Sequence, residues 1–206
     1  MSNTGKIPII GLTGGMGSGK STISAMLAAR GGCILDADKI NHEQMQKGRP
    51  AYTEIVKRFG TDILDANSEI ARRKLAAVVF GDAALLRALE DIAHRHVIAE
   101  TLRTIEALRV DNCGYRFIVI DAPLLIEANM QTICDAVWVV AADEDIRIAR
   151  VLARDGITRE QALARMQKQM PQAQRIGYAD CVLSNNSGVD ALEAEVDGCL
   201  RNVLCH

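Results

Sequence analysis

The residues with the most definite chemistry stand near the start of the chain, in Gly14-Gly15-Met16-Gly17-Ser18-Gly19-Lys20-Ser21. They fit GxxxxGK[ST], follow an apolar run and precede a helix-forming one, the setting a phosphate-binding loop requires. Glycines let the backbone curl until successive N–H groups point inward at phosphate oxygens. A helix starting near Lys20 adds its positive end. Lys20 would reach the β- and γ-phosphates of ATP or GTP, and Ser21 would offer its hydroxyl to Mg²⁺.

Carboxylates come next. Asp36-Ala37-Asp38 closes a second apolar run, at the carboxyl end where ligands bind in parallel sheets. A carboxylate there would accept the proton of an attacking hydroxyl or hold magnesium through water. Both are equally readable as turn residues or helix caps. Asp121 ends Phe117-Ile118-Val119-Ile120-Asp121, the pattern of an acid that contacts the magnesium shell, with capping as its alternative. His94 and His96 are two apart, so on a helix they point about 200° away from each other and do not share a metal. Arg150 and Arg154 are four apart and share a helix face, either a solvated one or one turned to the nucleotide.

The elements that must position these groups follow from hydrophobic pattern. Ile7–Leu12, Cys33–Leu35, Phe117–Ile120, Ala136–Ala141 and the weaker Cys181–Leu183 are apolar throughout, as parallel strands buried on both faces are. Helical patterns cover Ser21–Ala29, Asp82–Leu108, Ile146–Leu152 and Arg159–Gln169, with Asp82 as an N-cap. Strand and helix alternation predicts an α/β fold, helices on both faces of a five-stranded parallel sheet. The stretch between the second and third strands exceeds what one crossover needs, and its middle is helical. The expected organisation is a core of residues 1–59 and 113–206, a helical insertion at 60–112, and an arginine-rich lid at about 143–175.

Composition narrows the class. The chain has 206 residues and a net charge of −2 from 24 basic and 26 acidic side chains, which argues against a dedicated nucleic-acid or anionic-membrane binder. Aromatics at 3% leave little for base stacking. No run approaches the ~20 apolar residues of a membrane helix, and the N-terminus lacks a signal-peptide pattern. The six cysteines form no CxxC pair and read as reduced, structural thiols of a cytoplasmic protein.

The nucleotide then needs a task. Asp111-Asn112-Cys113-Gly114 precedes its strand, on the wrong side for a GTPase switch, and no NKxD base-reading motif exists. A small-molecule kinase remains: core, acceptor-side helical insertion, and an arginine-rich segment to close over phosphates.

The loop Thr13–Ser21, Asp36-Ala37-Asp38, and Asp121-Ala122-Pro123-Leu124-Leu125-Ile126-Glu127 together resemble the dephospho-coenzyme A kinase family. Further matches are Arg72, Leu75, Phe80, Arg150, Arg154-Asp155, Gln169, Arg175, Ala179-Asp180 and Asn185-Asn186, so the resemblance spans roughly residues 7–196. It implies ATP-dependent phosphorylation of the ribose 3′-hydroxyl of dephospho-CoA, the last step of coenzyme A biosynthesis, with Mg²⁺ and without an obligate protein partner. It implies that Gly14 through Thr22 hold ATP, that Lys20 and Arg154 act in transfer, and that Asp38 is the base. Asp36, Asp121 and Ser21 would lie near the metal, Arg150 near the phosphates and Asn185 near the adenine. Arg72, His94, Pro123, Leu124 and Leu125 would be on the acceptor side. Two departures stand out. The family's usual His-Pro is His94-Arg95 here, so the helix is expected to run through unbroken. The family's common Phe is Ile126, a volume change cores tolerate.

Overall fold

The computed structural model describes residues 7–111 and 114–205. Five strands, β1 (Ile9–Gly14), β2 (Gly32–Asp36), β3 (Phe117–Asp121), β4 (Ala136–Ala141) and β5 (Cys181–Ser184), form one parallel sheet in the order β2-β3-β1-β4-β5. In the central strand β1, Leu12 lies beside Asp121 of β3 and Trp138 of β4. This register sets the start of the phosphate loop next to Asp121. β1, β3 and β4 are buried along their whole length, which explains why they read as unbroken apolar runs.

The chain divides into two compact units, residues 1–35 with 112–206, and residues 36–111. In the first, α1 (Lys20–Ala29) and α9 (Val189–Leu204) close over the sheet, burying Ile23, Leu27, Leu192, Val196 and Leu200 against Ile10, Leu12, Phe117 and Trp138. The arginine-rich stretch forms α6 (Glu144–Asp155), α7 (Arg159–Met166), and the short α8 (Gln172–Ile176). Thr158 caps α7 with a reciprocal Gln161 contact.

The second unit holds α2 (Ala37–Gln44), α3 (Pro50–Phe59), α4 (Arg72–Val79) and the 28-residue α5 (Ala83–Val110). Asp82 caps α5 as expected, accepting from Ala84 and Leu85 N–H. Arg95 sits inside an uninterrupted helix, as the missing proline implied. A separate core of Ile55, Ile63, Leu75, Val79 and Ile92 holds the unit together. Its boundary falls at Asp36 rather than at residue 60, because α2 and α3 both pack on α5. The apolar periodicity after Gly60 shows only the later part of that bundle.

The expectation of reduced cysteines is also corrected at one pair. Cys181 of β5 and Cys199 of α9 are disulfide-bonded, with Cα atoms 6.5 Å apart. Their separation of 18 residues carries no pairing signal by itself. Among the described residues no helix is long and apolar enough to cross a membrane.

Candidate functional site

Two glycines fix the shape of the phosphate loop. Gly17 and Gly19 have φ of +77° and +89°, in the left-handed region that side chains avoid. Neighbours also press in: a side chain on Gly17 would begin 2.4 Å from the Arg147 carbonyl oxygen, and one on Gly19 2.0 Å from Asn185 Nδ2. Gly19 serves as N-cap of α1, so the unsatisfied N–H groups of that helix open toward the loop.

Lys20 and Ser21 occupy the first turn of α1. Lys20 Nζ pairs with Asp121 Oδ1, and Ser24 Oγ donates to Asp121 Oδ2. Asp121, nearly buried at the end of β3, is thereby held from both sides. The exposed Ser21 hydroxyl and the Asp121 carboxylate are oxygen donors, the type Mg²⁺ takes, so these residues fit that ion. Among the described residues, no three His, Cys, Asp or Glu side chains gather closely enough to hold a metal.

The loop is braced by residues far away in sequence. Asn185 Nδ2 donates to the Ser18 carbonyl at 2.8 Å. Arg150 Nη1 reaches the Gly17 and Ser18 carbonyls at 3.4 and 3.3 Å, and its Nη2 reaches the Asn185 carbonyl at 3.0 Å. Arg147 Nε donates to the Met16 carbonyl at 3.0 Å, and Gln169 Oε1 accepts the Met16 N–H at 2.8 Å. Thr13 Oγ1 donates to the Pro123 carbonyl at 3.2 Å, joining the loop to the segment after β3. Burial, and then the neighbouring Arg175 charge, push the Arg147 guanidinium below its ordinary value.

Several expected site residues take definite places. Asn185, expected near the adenine, is 7% exposed and its side chain supports the loop backbone. Leu125 is fully buried and packs on Gly11, so it is a core contact, while Leu124 is exposed and Pro123 partly so. Arg154 is exposed and forks onto Asp155 at 2.7 and 3.1 Å. Arg150 lies on the loop carbonyls rather than in solvent.

In the helical unit, Asp36 Oδ1 accepts the Lys39 N–H at 3.0 Å and caps α2, and Asp38 is exposed in the first turn of that helix. Arg72 Nη2 meets His42 Nδ1 at 2.8 Å, in a depression also lined by Met45, Gln46, Glu69 and Ile70. His94 is half-buried on α5. Its neighbours Arg95 and His96 both pair with Glu54 of α3, at 2.7 and 2.8 Å. Arg95, and after it His96, hold the Glu54 carboxyl below the usual carboxylate range. Sequence reasoning missed the bracing by Arg147 and the contact of Gln169. A polar residue more than a hundred positions from the loop it touches leaves no local signal.

A sheet with a glycine loop leading into α1, a lysine–aspartate pair at its tip and an arginine-bearing segment against it defines a P-loop kinase fold. The shikimate kinase from Acinetobacter baumannii shares that fold, with a TM-score of 0.52 and 18% identity over 97% of this chain and 94% of that one. The dephospho-CoA kinase family model matches residues 8–191, and the chain belongs to that family. A dephospho-CoA kinase from Carboxydothermus hydrogenoformans is 40% identical over 190 residues, covering 92% of this chain and 91% of that one. A solved structure from Thermus thermophilus superposes with a TM-score of 0.77 at 32% identity, covering 97% of this chain and 99% of that one.

Proposed function

We propose that the protein transfers the γ-phosphoryl group of ATP to the ribose 3′-hydroxyl of dephospho-CoA. Phosphorylation of dephospho-CoA in coenzyme A biosynthesis is the activity of the family to which the chain belongs. The single observation that carries the choice of triphosphate as donor is the loop Gly14–Ser21 on α1, with Lys20 at its end and its backbone braced on three sides.

The steps assigned to this chain are few, because a loose phosphoryl-transfer transition state needs charge placement and water exclusion more than covalent chemistry. Loop N–H groups and Lys20 hold the β- and γ-phosphates. Asp38 orients the acceptor hydroxyl and takes its proton as the new O–P bond forms and the bond to the ADP oxygen breaks. Arg154, released from Asp155, and Arg150 neutralise charge on the transferring group. Ser21 and Asp121, with Asp36 nearby, would hold Mg²⁺, which when bound supplies charge neutralisation along the phosphates. Arg72, His94, Pro123 and Leu124 bind the acceptor.

The test is an acceptor panel of dephospho-CoA, AMP, CMP and nucleosides, with ADP release measured, and a 3′-deoxy analogue of dephospho-CoA. Turnover with dephospho-CoA alone, lost in the 3′-deoxy analogue, is expected. Equal turnover with AMP or CMP would assign a different acceptor, and phosphorylation of the 3′-deoxy analogue would assign a different hydroxyl.

A further inference from the structure

The backbone of Met16 is gripped at both its N–H and its carbonyl by the segment that follows β4. Its N–H donates to Gln169 Oε1 at 2.8 Å, and its carbonyl accepts from Arg147 Nε at 3.0 Å. These two residues come from different places, Arg147 from α6 and Gln169 from the turn after α7. Arg147 Nη2 also lies 2.7 Å from where a side chain on Gly15 would begin, with Gln169 Oε1 at 3.7 Å from the same point. The two side chains therefore converge on one turn of the loop.

Arg147 is itself held in place. Gln172 Oε1 accepts from Arg147 Nη1 at 3.5 Å and from the Ala142 N–H at 3.3 Å, which ties it to the end of β4. Next to it lies Arg175, 1% exposed, paired with Glu127 at 3.1 Å while its Nε and Nη1 make no hydrogen bond among the described residues. The Arg175 charge adds to burial in disfavouring the protonated Arg147, whose guanidinium is nonetheless held at the loop by its bonds to Met16 and Gln172.

A glycine-rich loop has more backbone freedom to lose than any other kind of segment. Whatever fixes it beforehand removes that cost from the binding step. Within the loop, the Ser18 N–H to Gly15 carbonyl bond at 3.0 Å makes one turn, and Asn185 holds the Ser18 carbonyl at the far side. Met16 is the part these bonds leave unheld. We infer that Gln169 is a positioning residue for the reaction, acting with Arg147 to fix the two peptide groups that flank the Met16 Cα, so that the loop meets the triphosphate already shaped. It acts through the loop and touches no reacting atom. The inference rests on the reading that this loop holds ATP.

The experiment uses the full chain with Gln169→Met, which keeps length and volume but removes the acceptor, and Gln169→Glu, which keeps an acceptor at the same reach. Three readings are taken: hydrogen exchange at the Met16 amide, KM for ATP, and KM for dephospho-CoA together with kcat. Loss of one positioned hydrogen bond should raise KM for ATP about five- to ten-fold in Gln169→Met. KM for dephospho-CoA should be unchanged, and the Met16 amide should exchange faster. Gln169→Glu should keep the amide slow. A merely structural role would lower kcat through a smaller folded fraction and move neither KM, so that pattern overturns the assignment. Faster exchange with an unchanged KM for ATP overturns it too, because the loop then needs no holding. Failure of the unaltered protein to bind ATP would sink the reading of the loop and this inference with it, and is distinguished by that control alone.

Discussion

The candidate site groups of the two units differ in their exposure to solvent. In the sheet unit, Lys20 is paired with Asp121, while Asp121, Asn185 and the Ser18 backbone each have more than one partner, and these groups lie largely out of solvent. In the helical unit, Asp38 stands exposed on a first helical turn, and Arg72 meets His42 at the surface. The loop region thus has its geometry built before any ligand arrives, while Asp38 and Arg72 lie more open to solvent. Preorganised charge is what phosphoryl transfer rewards most, and a hydroxyl acceptor only has to be brought to it.

The sharpest way to break that contrast is Lys20→Ala. If Lys20 holds the β- and γ-phosphates, removing this positioned donor should lower kcat by about 10²–10³-fold. It also leaves the nearly buried Asp121 with Ser24 as its remaining side-chain partner among the described residues, so the protein should lose about 1–3 kcal/mol of stability while still folding. Turnover and a thermal melt check both, and near-normal turnover by a folded variant would remove the loop from the reaction.

On the helical side the corresponding test is Asp38→Asn. It keeps size and loses basicity, so kcat with dephospho-CoA should fall about 10²–10⁴-fold while the dissociation constant of ATP stays put. Asp36→Asn makes a clean companion, because asparagine caps helices as well as aspartate does and α2 should survive. If Asp36→Asn abolishes turnover and Asp38→Asn does not, the two carboxylates exchange roles. If neither matters, the acceptor is activated by some other group.

A smaller effect is expected at Arg154. The guanidinium now forks onto both oxygens of Asp155, a geometry an ammonium cannot copy. If the same fork later serves the transferring phosphate, Arg154→Lys should lower kcat by about ten-fold, equivalent to about 1.4 kcal/mol of transition-state stabilisation. Unchanged kinetics in both Arg154→Lys and Arg154→Ala would leave this arginine as part of a solvated helix face.

How much of this was legible in sequence also divides along the two units. Strands β1, β3 and β4 and the loop stand out because a doubly covered parallel strand is apolar at every position and the loop's glycines are spaced by steric need. The edge strands β2 and β5, partly open to solvent, leave a fainter pattern. The start of the helical unit does not stand out, since α2 carries only Ala37 and Gln44 buried and its pattern is faint. Helix α9 carries its signal in Leu192, Val196 and Leu200, which recur every fourth residue. The Cys181–Cys199 bond and the grips of Asn185, Arg147 and Gln169 on the loop were not legible, because they join positions that only the folded sheet brings together.

The smallest prediction sharpens the contrast from the sheet side, where a thiol can report on rigidity. All six cysteines lie outside residues 36–111, so thiol chemistry probes the sheet unit alone. Cys134 packs beside Gly11 of β1 and donates weakly to the Met130 carbonyl at 3.4 Å. Burial first, and then the negative charge of Asp135, push its pKa from 9.0 up to about 12. The native state therefore holds the proton more tightly than the unfolded chain does. Stability tied to it is fully present below pH 9.0 and is lost as pH climbs toward about 12. At about pH 9.5, iodoacetamide should label the exposed Cys205 in the native protein and leave Cys134 intact, and should label both in denaturant. The stability gap between the unaltered protein and Cys134→Ala should narrow over the same pH range. Labelling of native Cys134 as fast as Cys205 would mean that the turn before β4 opens readily, and the firm side of the comparison would not include it.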